Sequence, residues 1–144
     1  MKLFQKKSGI KGIAAAVLIA AAVIAVCLCV AYLYAQSTVE NNAELADLYG
    51  MRNAELAAKV LLNKNEKITE NGYWFDPVSY KLIPDSETKP SGMGLGTVKR
   101  GQGLIAFENK TGQTFPYDEG TDYRDQVIHV TIGEKIVVEW VPAD

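Results

Sequence analysis

The sequence contains only two cysteines, Cys27 and Cys29, and both lie in an apolar run near its amino end. Neither can form a disulfide elsewhere in the chain, so the remaining residues must be stabilised by a packed core. The chain has one histidine, His129, with no carboxylate or thiol at metal-ligand spacing from it. It also lacks a Ser/His/Asp or Cys/His arrangement for nucleophilic catalysis. We therefore expect neither enzyme activity nor a bound cofactor or metal.

Charged residues are absent from Ile13 to Ala35, a run of twenty-three residues rich in Ala, Val, Ile and Leu. An α-helix of about 20 apolar residues spans the hydrocarbon core of a bilayer. Four lysines and no acidic residue precede the run, which predicts an amino end in the cytoplasm and a carboxyl part outside it. A cleaved secretory signal is the competing interpretation, but its apolar region has only about 7–15 residues. We favour a single-pass anchor in the cytoplasmic membrane.

The part of the chain after this run, residues 36–144, carries 11 basic and 17 acidic residues. Its length is enough for one small domain. Its acidic balance argues against nucleic acid as a partner, because nucleic-acid binding requires a basic face.

The apolar run is predicted to continue as an amphipathic helix, since no proline occurs between Gln36 and Leu62. Apolar residues recur there at steps of three and four positions: Leu45, Leu48, Tyr49, Leu56, Val60 and Leu61. Acidic residues, including Glu44 and Asp47, are assigned to the opposite, solvated side. The pattern predicts one long helix from about Ile10 to Leu62, with its first half in lipid.

Beyond residue 63 the apolar period changes from that of a helix to that of strands. The apolar stretches 73–75, 80–83, 103–107 and 113–117 are interpreted as strands. A final hairpin joins Val127–Ile132 to Lys135–Val141 through Gly133-Glu134, a pair suited to a two-residue type II′ turn. We predict an α+β fold in which the long N-terminal helix packs on a small antiparallel sheet of four to six strands.

These patterns divide the chain into four segments. We predict a basic cytoplasmic leader over residues 1–12, a transmembrane helix over 13–35, an amphipathic continuation over 36–63 and an extracytoplasmic β domain over 64–144.

Four further groups of residues have both a functional and a plain structural interpretation. Ser91–Gly96 has glycines like those of a phosphate-binding loop, but no helix is predicted to follow it, so we expect a flexible loop. His129 is expected to be solvated, on the strand face opposite the core. The acidic residues of Asp118–Asp125 are expected to form a solvated loop, with weak calcium binding as the alternative. The basic pair Lys99-Arg100 is assigned to the surface.

A basic segment, Lys6 to Gly9, is followed by Ile10, a long helix and a sheet, and this layout resembles a type IV pilin or pseudopilin. The resemblance implies that a prepilin-type peptidase cuts after Gly9 or Gly12, so that Ile10 or Ile13 is the first mature residue. It also implies that the apolar helices pack against copies of themselves or other pilin-like subunits in the core of a filament.

The chain departs from that family's pattern at two places. Members usually carry a Glu at mature position five, where this chain has Ala14 or Val17, depending on the cut. In addition, Lys11 directly follows Ile10, at a position where the family has an apolar residue.

Three functions remain open at this point. The first is a structural subunit, major or minor, of a type IV pilus or a related secretion or conjugation filament, in the membrane or outside the cell. The second is an uncleaved single-pass membrane accessory whose outer domain docks a partner. The third is a module that binds a peptide, a glycan or calcium, which an exposed aromatic group of Tyr73, Trp74 and Tyr80 would favour.

Overall fold

The protein has an α+β fold with two helices and one four-stranded antiparallel sheet in the part of the chain that is described. This computed structural model describes residues 4–90, 92–99 and 101–143, with side chains from residue 12 onward. The elements are α1 (Phe4–Asn63), β1 (Tyr73–Asp76), β2 (Lys81–Pro84), α2 (Gln102–Thr111), β3 (Gln126–Ile132) and β4 (Ile136–Pro142). The chain divides into two units, Met1–Thr38 and Val39–Asp144, and α1 contributes residues to both.

The first unit consists of the amino-terminal part of α1, which begins at Phe4 rather than near Ile10. From residue 12 to residue 36 every side chain is exposed, and none is charged. The length and composition of this stretch are compatible with a membrane span.

The second unit has its core where the later part of α1 packs on the sheet. Four α1 side chains with no exposed surface contribute to it: Leu48, Met51, Ala54 and Ala58. The sheet contributes Phe75, Ile128, Val130 and Val138, each at most 4% exposed. Fully burying each of the larger apolar side chains is worth about 1.5–3 kcal/mol. The predicted packing of the helix on the sheet is confirmed.

The face of α1 that enters this core agrees with the predicted stripe in its earlier half, where Leu48 is buried and Leu45 and Tyr49 pack against the core, but not in its later half. Leu56 and Val60 were assigned to the packed stripe, but they are 47% and 52% exposed. Glu44 and Asp47 were assigned to the solvated side, but they are 0% and 2% exposed. Small residues decide the orientation, since a Cβ on Gly50 would lie 3.3 Å from the Ile128 side chain. The larger Leu56 and Val60 side chains lie on another face of the helix.

The sheet has the strand order β2-β1-β3-β4, and all neighbouring strands are antiparallel. The predicted turn between β1 and β2 is confirmed, because the Asp76 carboxylate accepts the N–H groups of Val78 and Ser79. The predicted β3–β4 hairpin is also confirmed. Its turn is not the predicted two-residue type II′ turn, however, because Ile132 pairs with Ile136 and leaves a three-residue connection, Gly133–Lys135.

The prediction of a strand over Gly103–Phe107 is wrong, because these residues belong to helix α2. The helix is flanked by Gly101 and Gly112, both in the left-handed region that glycine adopts without a Cβ penalty. Phe107 is fully buried against Tyr49 of α1. The adjoining stretch, residues 113–117, is irregular rather than a strand, although Tyr117 still enters the core.

Candidate functional site

The four candidate leader-processing residues, Gly9, Ile10, Gly12 and Ile13, all fall within α1. The side chains before residue 12 lie outside the described ones, and Ile13 is 67% exposed. Each glycine in a helix interior costs about 1 kcal/mol relative to alanine. Two of them within four residues therefore lower the helix propensity of this part of α1.

After these residues, α1 presents a continuous apolar surface. Large side chains such as Leu18, 71% exposed, and Ile24, 59% exposed, alternate with alanines. Apolar patches of this size are normally covered by lipid or by another protein, and the alanines permit close approach between helices. Tyr32 and Tyr34 lie at the carboxyl end of this surface, 63% and 76% exposed.

Asp47 is a buried carboxylate that accepts hydrogen bonds from residues 92–96, the glycine-rich loop. Its Oδ1 accepts the Leu95 N–H at 2.8 Å, and its Oδ2 accepts the Gly96 N–H at 3.1 Å and the Tyr117 hydroxyl at 2.8 Å. A Cβ on Gly96 would lie 2.9 Å from the Cβ of Ala43, so the loop approaches α1 closely. The amides of this loop therefore bind a carboxylate of the protein itself rather than a phosphate.

On its other side, the glycine-rich loop forms backbone hydrogen bonds with Tyr123 and Gln126. The Met93 N–H donates to the Gln126 carbonyl at 2.8 Å, and the Gly96 carbonyl accepts the Tyr123 N–H at 2.9 Å. Residues 92–96 form a loop, as predicted, but their backbone is held on both sides rather than free. The expectation that no helix follows this loop is wrong, because α2 begins at Gln102. Ser91 lies outside the described residues.

Glu44, one turn earlier on α1, holds the start of α2. Its Oε2 accepts the N–H groups of Gly103 at 2.9 Å and Leu104 at 3.3 Å. A carboxylate is favourable there because a helix amino end carries free N–H donors and partial positive charge. The other oxygen, Oε1, is buried and has no hydrogen-bond donor among the described residues.

Burial raises the pKa of both carboxyl groups, and the backbone N–H groups that they accept act in the opposite direction. The negative charge of Glu40 raises the pKa of Glu44 further. Burial, followed by the hydrogen bond to Asp47, raises the pKa of the Tyr117 hydroxyl. The three groups form a buried acidic cluster with a structural role, since the bonds described fix a loop and the start of α2.

The prediction that His129 is solvated is wrong, because its side chain is only 14% exposed. The Trp74 ring lies over it with 4.7 Å between ring centroids. Its Nε2 lies 3.9 Å from the Asp85 carboxylate and its Nδ1 lies 4.0 Å from that of Glu139. Lys89 covers the outer face of Trp74, with Nζ 4.8 Å from the ring centroid. The loop after β2 therefore covers this face of the sheet.

The acidic residues of Asp118–Asp125 lie along an exposed loop. No group of three or more His, Cys, Asp or Glu side chains that could hold an ion occurs among the described residues. Asp118 and Glu119 are exposed, and Asp122 pairs with Arg124, which lowers the pKa of Asp122 to about 2. The calcium alternative thus has no support here.

The remaining predicted surface groups are separate from one another. Lys99 is exposed and lies 3.4 Å from the Glu40 carboxylate, and Arg100 lies outside the described residues. The proposed aromatic group is not formed: Tyr73 is 3% exposed, Trp74 is covered, and Tyr80 is 63% exposed in the β1–β2 turn. The main reason for a binding module is thereby removed.

The buried acidic cluster of Glu44, Asp47 and Tyr117 was not predicted from the sequence. Its contacts join residues that are 48 to 70 positions apart, and no local pattern reports such contacts. The available signal was the coincidence of two acids three positions apart in an Ala-rich helix with a later glycine-rich segment.

Comparison of this chain with protein-family models, curated proteins and solved structures finds no match.

Proposed function

We propose that this protein is a pilin-like structural subunit that assembles through its apolar N-terminal helix into a type IV pilus or a related filament. Its partners are the lipid bilayer before assembly and then copies of itself or other pilin-like subunits. A prepilin-type peptidase acts on the leader after Gly9 or Gly12. The subunit begins in the cytoplasmic membrane with its carboxyl domain outside.

One observation carries this proposal: α1 runs without interruption from Phe4 to Asn63. Its early part presents only uncharged, exposed side chains, while Leu48, Met51 and Ala58 of its later part lie in the core with the sheet. A helix used only as an anchor needs no such continuity. The exposed apolar part of α1 needs a cover, which copies of the same helix in the core of a filament supply.

Processing of the leader is the direct test. The protein is purified from cells that express a prepilin-type peptidase, and its amino end is determined by mass spectrometry. We expect a mature chain beginning at Ile10 or Ile13. Gly9→Val and Gly12→Val form the matched pair, because only the variant at the cleaved site should remain unprocessed. Met1 retained on the native protein extracted from such cells contradicts the proposal.

An uncleaved single-pass accessory protein is the second candidate. Lys11 and the absence of an acidic residue between Ile13 and Val39 favour it, because both depart from the pilin pattern. It predicts that the protein co-purifies with other membrane proteins while residues 1–12 remain attached. The same mass measurement therefore separates the two candidates.

A further inference from the structure

The turn that precedes β1, Thr69–Gly72, contains the only Asn-Gly pair in the sequence. The Gly72 N–H donates to the Thr69 carbonyl at 3.3 Å, and the Thr69 hydroxyl donates to the Gly72 carbonyl at 2.8 Å. Asn71 is exposed within this turn, and Asn and Gly are residues that tight turns favour. The turn therefore places an exposed amide side chain directly before a residue that has no Cβ.

The packing around position 72 requires glycine there. Its φ is +92°, a conformation that glycine adopts without the steric cost of a side chain. A Cβ at this position would also lie 2.7 Å from the Val130 carbonyl oxygen and 2.9 Å from Cε1 of His129. The close approach to β3 thus keeps next to Asn71 the residue type that hinders access to its own backbone nitrogen least.

We propose that Asn71 is a site at which the folded chain modifies itself. The backbone nitrogen of Gly72 attacks Cγ of the Asn71 side chain and loses its proton to solvent, and the side-chain nitrogen takes up a proton and departs as ammonia. The product is a cyclic succinimide. Water then opens the ring, at Cγ to give aspartate or at the main-chain carbonyl to give isoaspartate. The reaction consumes one water, releases one ammonia and needs no oxidant or reductant.

The surroundings of Asn71 suit this reaction. Asn71 lines an open groove of about 430 Å³ together with Lys67, Asp85 and Ser86, so water reaches the side chain. The hydrogen bond from the Gly72 N–H, at 3.3 Å, is longer than most N–H···O bonds in proteins. The attacking nitrogen is therefore only weakly engaged in the folded chain.

The isoaspartate product lengthens the main chain by one carbon at a point where other contacts depend on it. The Gly72 carbonyl also accepts the Asp85 N–H at 3.1 Å, and the Asp85 carbonyl accepts the Trp74 indole N–H at 3.4 Å. These two bonds attach the loop after β2 to the sheet. We therefore expect the modification to loosen residues 85–89. The proposal uses neither α1 nor the leader, so it does not depend on filament assembly.

Ageing of the full-length protein in membranes at mildly alkaline pH tests the site. Trypsin releases Ile68–Lys81, in which Asn71 is the only amide side chain, and mass spectrometry detects its conversion to an acid. Asn65 is the internal control, because it is also exposed but precedes Glu66, which has a Cβ. We expect Asn71 to convert at least about tenfold faster than Asn65, since glycine leaves the attacking nitrogen open. Equal rates at the two positions, or no conversion of Asn71, overturn the proposal.

Hydrogen exchange tests the structural consequence. The isoaspartate form, separated by chromatography from the aged protein, is compared with Asn71→Asp, which carries the same charge on a main chain of normal length. We expect amide exchange over residues 85–89 to be about tenfold faster in the isoaspartate form, because the Asp85 N–H loses its acceptor. Exchange in β3 and β4 should stay the same and serves as the control. Equal exchange over residues 85–89 in the two proteins overturns the proposed loosening.

Discussion

Glu44 and Asp47 lie three positions apart on α1, and their oxygens are satisfied to different extents. Asp47 accepts three hydrogen bonds on two oxygens, whereas Glu44 uses only Oε2 for described partners. A carboxylate oxygen that is buried without a donor favours the protonated group. The two acids should therefore respond differently to replacement by their amides.

The raised pKa values give the first prediction, a gain in stability on mild acidification. The pKa of Glu44 and that of Asp47 lie above their ordinary values of 4.5 and 3.8 in the folded chain. The folded state holds these protons more tightly, so this contribution to stability is complete below the ordinary values and is lost as the pH rises through the folded ones. We expect the melting temperature to rise as the pH falls from 7 toward 4.5, the ordinary pKa of Glu44.

Glu44→Gln is the variant that tests this dependence, because it imitates the protonated group. It should flatten the rise in melting temperature between pH 7 and pH 5. Glu40→Gln, at a partly exposed position on the same helix, is the control and should keep most of it. The lowered pKa values of Asp76 and Asp122 act in the opposite direction, but only below about pH 4. A melting temperature that falls steadily from pH 7 to pH 5 contradicts the prediction.

Asp47→Asn should destabilise the domain, in contrast to Glu44→Gln. An amide presents one acceptor oxygen and an NH₂ donor, so the Gly96 N–H or the Leu95 N–H loses its acceptor. A buried donor without a partner costs about 1–3 kcal/mol. Denaturant unfolding followed by tryptophan fluorescence measures the loss. The matched variant Tyr117→Phe removes one donor and leaves both backbone bonds, so it should cost less, and the reverse order would refute this account.

At the scale of single elements, α2 depends on a close contact that permits no side chain at its start. A Cβ on Gly103 would lie 2.6 Å from the Asn41 carbonyl oxygen and 2.6 Å from the Cβ of Glu44. Gly103→Ala should therefore lower the free energy of unfolding by about 2 kcal/mol, although alanine is the better helix former. Urea denaturation measures this change.

Gly112→Ala at the other end of α2 is the control for this element. A Cβ there meets nothing within 4 Å, but the residue has a φ of +67°. Only the backbone strain of a left-handed alanine remains, about 1–2 kcal/mol. A neutral or stabilising Gly103→Ala would contradict the tight contact between α1 and α2.

The elements that the sequence predicted correctly are those with strong local patterns. The uncharged run of Ile13–Ala35 and the alternation in β3 and β4 each repeat over many residues, so α1 and the hairpin were predicted. Helix α2 was not, because apolar residues at Leu104, Ile105 and Phe107 fit a short strand as well as one helical face. Its helical state depends on Glu44 of α1, which no local pattern contains.

The prediction that Leu56 and Val60 of α1 face the core was wrong for a related reason. Hydrophobic size favoured a stripe through Leu56 and Val60, but Gly50, Ala54 and Ala58 allow the sheet to approach more closely. Close packing then brings Glu44 and Asp47 inside, where backbone N–H groups replace water. The sheet determines which of two apolar faces of α1 is buried. The strands of this sheet come later in the sequence than α1.

For the whole molecule, the apolar surface of α1 should decide where the protein resides. Ile24 is 59% exposed near the middle of the uncharged run, and a lysine at the centre of a membrane helix costs about 2.5–3.5 kcal/mol. We expect Ile24→Lys to reduce the fraction that stays in membranes after alkaline extraction. Leu56→Lys, at a 47% exposed position of the second unit, is the control and should leave that fraction unchanged. Equal membrane retention of the two variants would refute the assignment.

The distances along the chain within the buried acidic cluster have a consequence for synthesis. A ribosome completes α1 well before it reaches the donors at Leu95, Gly103 and Tyr117. Until then Glu44 and Asp47 lack these donors, and their burial would be costly. The buried acidic cluster can form only when these donors have emerged, so α1 cannot complete its packing before most of the chain has been made.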